Sequence, residues 1–337
     1  MRWVRWDGSE MRLRRSDPSA PGYRRRRQGR GTVFLDTDGE PIRDPAEVAR
    51  LRGLVVPPAW RDVWISPHPG GHIQATGIDA AGRKQYLYHP LWRVRQDQAK
   101  FDRVLEVAAR LPVLRERIDT DLGARGLCRE RVLATVAKLL DMGTFRIGGA
   151  QYASGQDPTF GVATLRPEHA RALRGRVVFE FPAKGGIAQV RQVEDADLCG
   201  VLRDLRRWRR DADRLFGYRD GRSWRDVRSD EVNGYLREAS GGEMTAKDFR
   251  TWHATVLAAT RLAASEPQRS ATGRRRTVAA AMRAVAELLG NTPTVARSSY
   301  VDPRVVDLYH DGVVAAADLD ASRRSAEVAV LDLLGRA

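Results

Sequence analysis

Near its C-terminal end the chain reads Leu288-Leu-Gly-Asn-Thr-Pro-Thr-Val-Ala-Arg-Ser-Ser-Tyr-Val-Asp-Pro303, and the residue with chemistry to offer there is Tyr300. A phenol ionises near pH 10, so tyrosine is a poor nucleophile until its proton is removed or its anion is stabilised. Guanidinium groups stabilise an anion without titrating themselves, and their forked donors match phosphate oxygens. The chain offers Arg146 after a helix, Lys184 between strands, Lys247 and Arg250 on one helix, and Asn291. An asparagine amide donates hydrogen bonds but carries no charge. Taken singly, Tyr300 reads as a packing residue and the cations as salt-bridge partners. Their combination in one chain favours a functional reading of Tyr300 over a packing one.

These residues need elements to hold them. Gly290 is placed to cap a helix in the left-handed conformation. Thr292 can cap the next helix, with Pro293 at its first position. That short helix delivers Tyr300 about two turns on and is stopped by Val301-Asp302-Pro303. Thr245-Ala-Lys-Asp248 is a capping box opening a helix to about 264, with Phe249, Trp252, Val256 and Leu257 inward. Lys247 and Arg250, at i and i+3, are expected to project together from another face. A second long helix is expected over 276–289, after a mobile basic loop at 270–276. Helices are also expected over 97–110, 129–142 and 195–217, with Gly143 ending the second and Trp208 inward in the third. A strand is expected over 160–165, a short helix from Pro167, and a closing helix around 331–334. Arg176–Phe181 and Ile187–Val193 read as a hairpin with Lys184 at its tip.

The first third has a different texture. Residues 1–30 are basic and read as a loop-like arm, including Arg24-Arg25-Arg26-Arg27 and Arg30. Strands are expected at 32–35, 72–76 and 83–88, with a tight turn at Asp38-Gly39, a short helix over 45–51, and a proline-broken extended segment over 55–65. In the last strand Lys84, Tyr86 and Tyr88 share one face, and Arg83, Gln85 and Leu87 the other. A ribbon of tyrosines, amides and lysine suits a nucleic-acid groove, though packing explains the tyrosines equally well. The texture changes near residues 90–96, which divides the chain into a β-rich domain over 1–92 and a larger helical domain over 93–337. The fold class expected is α+β, with a small mainly-β N-terminal domain and a mostly helical domain carrying a small sheet.

The 337 residues include 58 Lys and Arg against 43 Asp and Glu, a net charge of +15 and a pI near 10.6. Such an excess of arginine fits a polyanionic partner, with nucleic acid ahead of a membrane surface. No apolar run reaches the length of a membrane span, and the N-terminus lacks an apolar signal core. Two cysteines exclude a disulfide framework and fit a reducing cytosol. The six histidines lack metal-ligand spacing.

The strings Pro57-Pro-Ala-Trp60, Gly71-His-Ile-Gln-Ala-Thr-Gly77, Gly82-Arg-Lys-Gln-Tyr86, Phe145-Arg-Ile-Gly148, Lys247-Asp-Phe-Arg-Thr-Trp252, Asn291-Thr-Pro and Ser299-Tyr300 occur in that order. Together they resemble the type IB DNA topoisomerases, in particular the small bacterial and poxvirus-like branch, over nearly the whole chain. The resemblance implies that Tyr300 attacks a backbone phosphorus and that Arg146 and Arg250 hold the non-bridging oxygens. It implies that Lys184 protonates the leaving 5′ oxygen. Asn291 stands where many relatives have a histidine, so the hydrogen bond is kept and the charge is lost. The resemblance also implies duplex DNA contacts from Gln74, Arg83, Lys84, Gln85, Tyr86, Tyr88, Tyr152 and Lys247. It implies no metal and no cofactor, and a monomer that clamps around DNA and works in the cytoplasm on the nucleoid. A tyrosine recombinase shares the nucleophile, but such enzymes carry His-x-x-Arg where this chain has Lys247-Asp-Phe-Arg250. A non-catalytic DNA-binding protein would need only the basic surface.

Overall fold

Short alternating segments in the first third fold into a two-stranded ribbon and a five-stranded antiparallel sheet in a computed structural model that describes residues 4–6, 9–29, 31–316 and 322–335. The chain forms two units, Met1–Phe101 and Asp102–Ala337. In the first, β1 (Val4–Trp6) and β2 (Ser9–Met11) pair as a ribbon. The main sheet contains β3 (Tyr23–Gln28), β4 (Gly31–Leu35), β5 (Arg61–Ile65), β6 (Ile73–Ile78) and β7 (Lys84–Tyr88), in the order β4-β3-β5-β6-β7. Helix α1 (Pro45–Gly53), capped by Asp44, places Leu51 in a small core with Phe34, Val63, Ile65 and Ala75.

The arginine run is therefore a strand and not a loop. β3 pairs with both β4 and β5. Alternation turns Arg25 toward the proline segment, where it donates to the carbonyls of Val56 and Trp60 at 2.8 Å and of Pro57 at 2.9 Å. Four like charges in sequence hid this role, because the pairing that orders them comes from residues far along the chain. Arg30 lies outside the described residues.

Helix α2 (Pro90–Leu122) spans the division between the units and is much longer than expected. The second unit continues with α3 (Arg129–Asp141), which Gly143 ends at φ 77. The segment expected as a strand over 160–165 is instead a 3₁₀ turn at Val162–Thr164. Gly161 explains it, since a Cβ there would lie 2.5 Å from Gly148 N and 2.6 Å from the Arg146 carbonyl. This close backbone approach lets Val162 N donate to Arg146 O and Ala163 N to Ile147 O, each at 2.8 Å.

A 3₁₀ turn at Pro167–His169 leads into β8 (Ala170–Leu173), β9 (Arg176–Ala183) and β10 (Ile187–Val193), ordered β10-β9-β8. The hairpin expected between 176 and 193 is present, and Gly185 and Gly186 both adopt positive φ at its tip. Helix α4 (Ala196–Trp208) ends well before 217, and Trp208 is 65% exposed instead of inward. Beyond it Arg209 folds back, its Nε donating to Arg214 O at 3.1 Å. The ribbon β11 (Gly217–Asp220) with β12 (Ser223–Asp226) and helix α5 (Ser229–Ser240) follow.

Helix α6 (Ala246–Ala263) opens with the expected capping box. Helix α7 (Ala271–Leu289) starts earlier than expected, because Ser270 accepts from Gly273 N and turns the basic 270–276 segment into helix. Then come α8 (Pro293–Ser299), α9 (Pro303–His310) and α10 (Arg323–Gly335). The architecture is α+β, with a small β-rich N-terminal unit and a larger helical unit carrying small sheets. No helix among the described residues is long and apolar enough to cross a membrane.

A buried polar network ties α10 to α2, α3 and α6. Arg115 pairs with Asp141 at 2.8 Å and Glu327 at 2.6 Å. Arg323 joins Asp141 at 3.1 Å, Glu327 at 3.2 Å and His253 Nε2 at 2.6 Å. Removing one partner of a buried pair leaves the others charged and unmet, at a cost of about 3 kcal/mol or more. Glu327→Ala is expected to lower the unfolding free energy of the larger unit by about that amount in urea titration. Arg210→Ala, which breaks an exposed pair with Asp211, should leave the midpoint within error.

Candidate active site

The last turn of α7 sets the site. Gly290, at φ 61, caps the helix, and Asn291 N returns to Ala286 O at 2.9 Å. Carbonyls at a helix C-terminus lack intrahelical donors and carry the negative end of the helix dipole. Leu289 O takes two guanidinium donors instead, Arg250 Nη2 at 2.7 Å and Arg146 Nη2 at 3.4 Å. Arg146 Nη2 also donates to Asn291 Oδ1 at 2.7 Å. That bond directs the amide: Asn291 Nδ2 is buried with no partner among the described residues, and so is Arg250 Nε. Two donors therefore stand ready at one place.

Thr292 accepts from Val295 N and begins α8, and Tyr300 stands at its C-cap, as expected. The Tyr300 backbone is also tethered from α6. Thr255 Oγ1 lies 3.3 Å from Tyr300 O and accepts from Asp302 N at 3.1 Å. Asp302 is buried, caps α9 through Arg304 N, and binds the Arg304 guanidinium. Neither Thr255 nor Asp302 stood out in the sequence, because a threonine within a helix and an aspartate before a proline have many ordinary uses.

The Tyr300 ring is half-buried, with the Arg250 Cζ 5.5 Å from its centroid. Burial pushes the phenol pKa up, but the charges and hydrogen bonds of Arg250 and Arg146 outweigh it and hold the group below the usual tyrosine value. Arg250, 4% exposed, is pushed down to about 10 by burial and by the like charges of Arg146 and Arg191, with Tyr300 opposing. It stays cationic at neutral pH. Among the described residues no carboxylate pairs with Arg146, Arg191 or Arg250. Concentrated, unpaired positive charge beside a phenol makes a site for an anion.

The structure thus brings Arg146, Arg250, Asn291 and Tyr300 together. Lys184 sits at the exposed hairpin tip and makes no hydrogen bond or ion pair among the described residues. Lys247 and Arg250 do not project together: Lys247 is exposed and Arg250 buried, because α6 is covered on nearly all sides.

The residues expected to face DNA divide similarly. Tyr86 and Tyr88 stack at 6.0 Å between ring centroids, with Lys84 Nζ 5.7 Å from the Tyr86 ring. Tyr86 is 41% exposed, and Tyr152, in a 3₁₀ turn at Ala150–Tyr152, is 60% exposed. On the opposite face Arg83 pairs with Asp79 at 2.9 Å, and Gln85 donates to the same carboxylate at 2.8 Å. Gln74 is a correction. It is 3% exposed, and its Nε2 donates to Pro69 O at 2.8 Å and Gly71 O at 2.7 Å. Its amide holds the Pro/Gly turn, so it has no free edge to offer a groove.

A half-buried phenol lies among guanidinium groups that no carboxylate of the described residues neutralises, an arrangement suited to an anion. Residues 89–316 match the family of the eukaryotic DNA topoisomerase I catalytic core, and residues 31–79 match the bacterial DNA topoisomerase IB N-terminal domain. The chain belongs to the type IB DNA topoisomerases and is an enzyme of that class. It is similar to DNA topoisomerase 1B of Acanthamoeba polyphaga mimivirus, with 27% identity over 298 residues, 86% of this chain and 88% of that protein.

The cation cluster makes a direct expectation about titration. Ultraviolet difference titration of wild type against Tyr300→Phe should reveal a phenol ionising below the ordinary tyrosine range. Arg250→Gln should move that ionisation upward, since burial then acts with less opposing charge. An unchanged titration in Arg250→Gln would contradict the electrostatic reading.

Proposed function

We propose that this chain relaxes supercoiled duplex DNA by breaking and rejoining one strand through Tyr300. The phenol oxygen attacks a backbone phosphorus, and its proton passes to solvent. The bond from phosphorus to the 5′ oxygen breaks, leaving a 3′-phosphotyrosyl link. Lys184, as an ammonium, gives the departing 5′ oxygen its proton, and the resulting amine recovers it when the 5′ hydroxyl attacks to reseal the strand. Arg146, Arg250 and the Asn291 amide take the charge that gathers on the non-bridging oxygens. The covalent link conserves the energy of the broken bond, so resealing needs no ATP, and the guanidinium charge does the work without a metal.

The observation that carries this reading is the placement of the Tyr300 phenol beneath Arg146 and Arg250, with the Asn291 donor unspent. The exposed Lys184 at a glycine-flexible tip supports a residue that reaches its substrate only when DNA is bound. Lys84, Tyr86, Tyr88, Tyr152 and Lys247 offer exposed or half-exposed contacts to the duplex, and the +15 charge favours its phosphates. We further propose a monomer that closes on duplex DNA in the cytoplasm, where two thiols stay reduced.

Tyr300→Phe should keep DNA binding and lose relaxation of a supercoiled plasmid in EDTA, because only the attacking oxygen is removed. Residual relaxation near a percent of wild type would mean another nucleophile. Lys184→Ala should slow cleavage by roughly a hundredfold or more, with recovery when sulfur replaces the bridging 5′ oxygen, since a thiolate leaves without a proton. Sulfur rescue of equal size for Arg146→Ala and Arg250→Ala would make Lys184 one electrostatic contact among several.

A further inference from the structure

The strand β10 contributes a residue to this site that the sequence strings did not single out. In the β9–β10 register Arg191 lies opposite Phe179 and Gln189 opposite Phe181. Directly opposed residues of an antiparallel pair stand on one face. That face is the buried one, with Phe179 and Phe181 both inside the core. Phe145 meets it, edge-on to Phe179 at 5.4 Å and parallel to Phe181 at 6.3 Å. The next residue in the chain is Arg146. Gln189 and Arg191 therefore continue the surface on which the Arg146 segment rests.

The other side of the site confirms the placement. A Cβ on Gly290 would lie 3.3 Å from Gln189 Nε2 and 3.4 Å from Gln189 Oε1, so the Gln189 amide packs on the cap between Leu289 and Asn291. Gln189 Oε1 accepts from Arg191 Nη2. Arg191 Nη1 donates to Val190 O at 3.0 Å. Its Nε is buried and unpartnered among the described residues, and no carboxylate there neutralises the group. The side chain is only half-exposed, and its charge is felt at Arg250. A partly buried guanidinium with no counter-ion, beside two others, is electrostatically costly unless an anion arrives.

We propose that Arg191 is a third guanidinium of the phosphate site, supplying positive charge to the scissile phosphodiester where Asn291 supplies only a neutral hydrogen bond. The inference rests on strand cleavage at Tyr300. Its role is electrostatic, toward the non-bridging oxygens as they gain charge, and no proton moves through it. Gln189 is the positioning residue, holding the Arg191 fork against the Gly290 cap.

The test is single-turnover cleavage of a duplex by the full chain, with Arg191→Ala, Arg191→Met and Arg191→Lys beside wild type. DNA affinity is measured separately in a Tyr300→Phe background. On an ordinary phosphodiester Arg191→Ala and Arg191→Met should slow cleavage by about tenfold to a hundredfold, with affinity nearly unchanged and Arg191→Lys recovering part of the rate. On a duplex whose scissile phosphate is a neutral methylphosphonate, the same variants should lose no more than about threefold, since the phosphodiester's own negative charge and one of its two non-bridging oxygens are gone. Arg191→Met keeps the aliphatic stem, and its thermal melt guards against a folding defect. Cleavage within about twofold of wild type, or equal deficits on both substrates, would overturn the inference while leaving the Tyr300 mechanism standing. Absence of any wild-type covalent adduct would overturn both.

Discussion

A single backbone carbonyl organises this molecule's chemistry. Leu289 O, at the C-terminus of α7, receives both Arg250 and Arg146. Those arginines come from elements far apart in sequence, one inside α6 and one in the turn after α3. Without a shared acceptor, two like charges would separate. The unpaired carbonyls of a helix end supply that acceptor, and they hold the guanidinium groups without neutralising them as a carboxylate would. The charge remains available for an anion.

The rest of the larger unit keeps that meeting point fixed. Asp248 closes the capping box of α6 and also receives Arg103 from α2 at 2.6 Å. His253, one turn beyond Arg250, packs on Gly143, where a Cβ would lie 2.6 Å from its Cδ2. Gly143 O in turn accepts from Arg250 Nη1 at 3.5 Å. Burial holds the His253 pKa down, with Asp141 and Glu327 opposing and Arg323 reinforcing, in a ring set between two acids and two arginines. The C-terminal helix thus braces the turn that carries Arg146 and the helix that carries Arg250. The hairpin tip that carries Lys184 lies outside this bracing, exposed and with Gly185 and Gly186 at positive φ.

Local chemistry was legible in the sequence, and tertiary pairing was not. Gly290, Thr292 and Pro293 fix the start of α8 by caps and a preset φ, so the position of Tyr300 followed from its immediate neighbours. The capping box at Thr245 and the hairpin around Lys184 are local in the same sense. The arginine run of β3 was misread because its partners are β4 and β5. The segment at 162–164 was misread because only the contact between Gly161 and Gly148 decides it. Helix periodicity put Lys247 and Arg250 together, yet burial of α6 on nearly every side separates them. Gln74 reads as a groove contact from its strand pattern, yet its amide is spent on the Pro69–Gly71 turn. Arg191 gave no signal at all, since its meaning depends on which face of β10 meets Phe145.

Under the proposed function, this charge cluster serves one covalent bond to one residue. Denaturing the protein during DNA cleavage, digesting away the nucleic acid and sequencing the tryptic peptides by mass spectrometry tests it directly. A nucleotide should be found on the peptide Ser298–Arg304, attached at Tyr300 through its 3′ phosphate. A nucleotide on any other residue, or a 5′ linkage, would contradict the account.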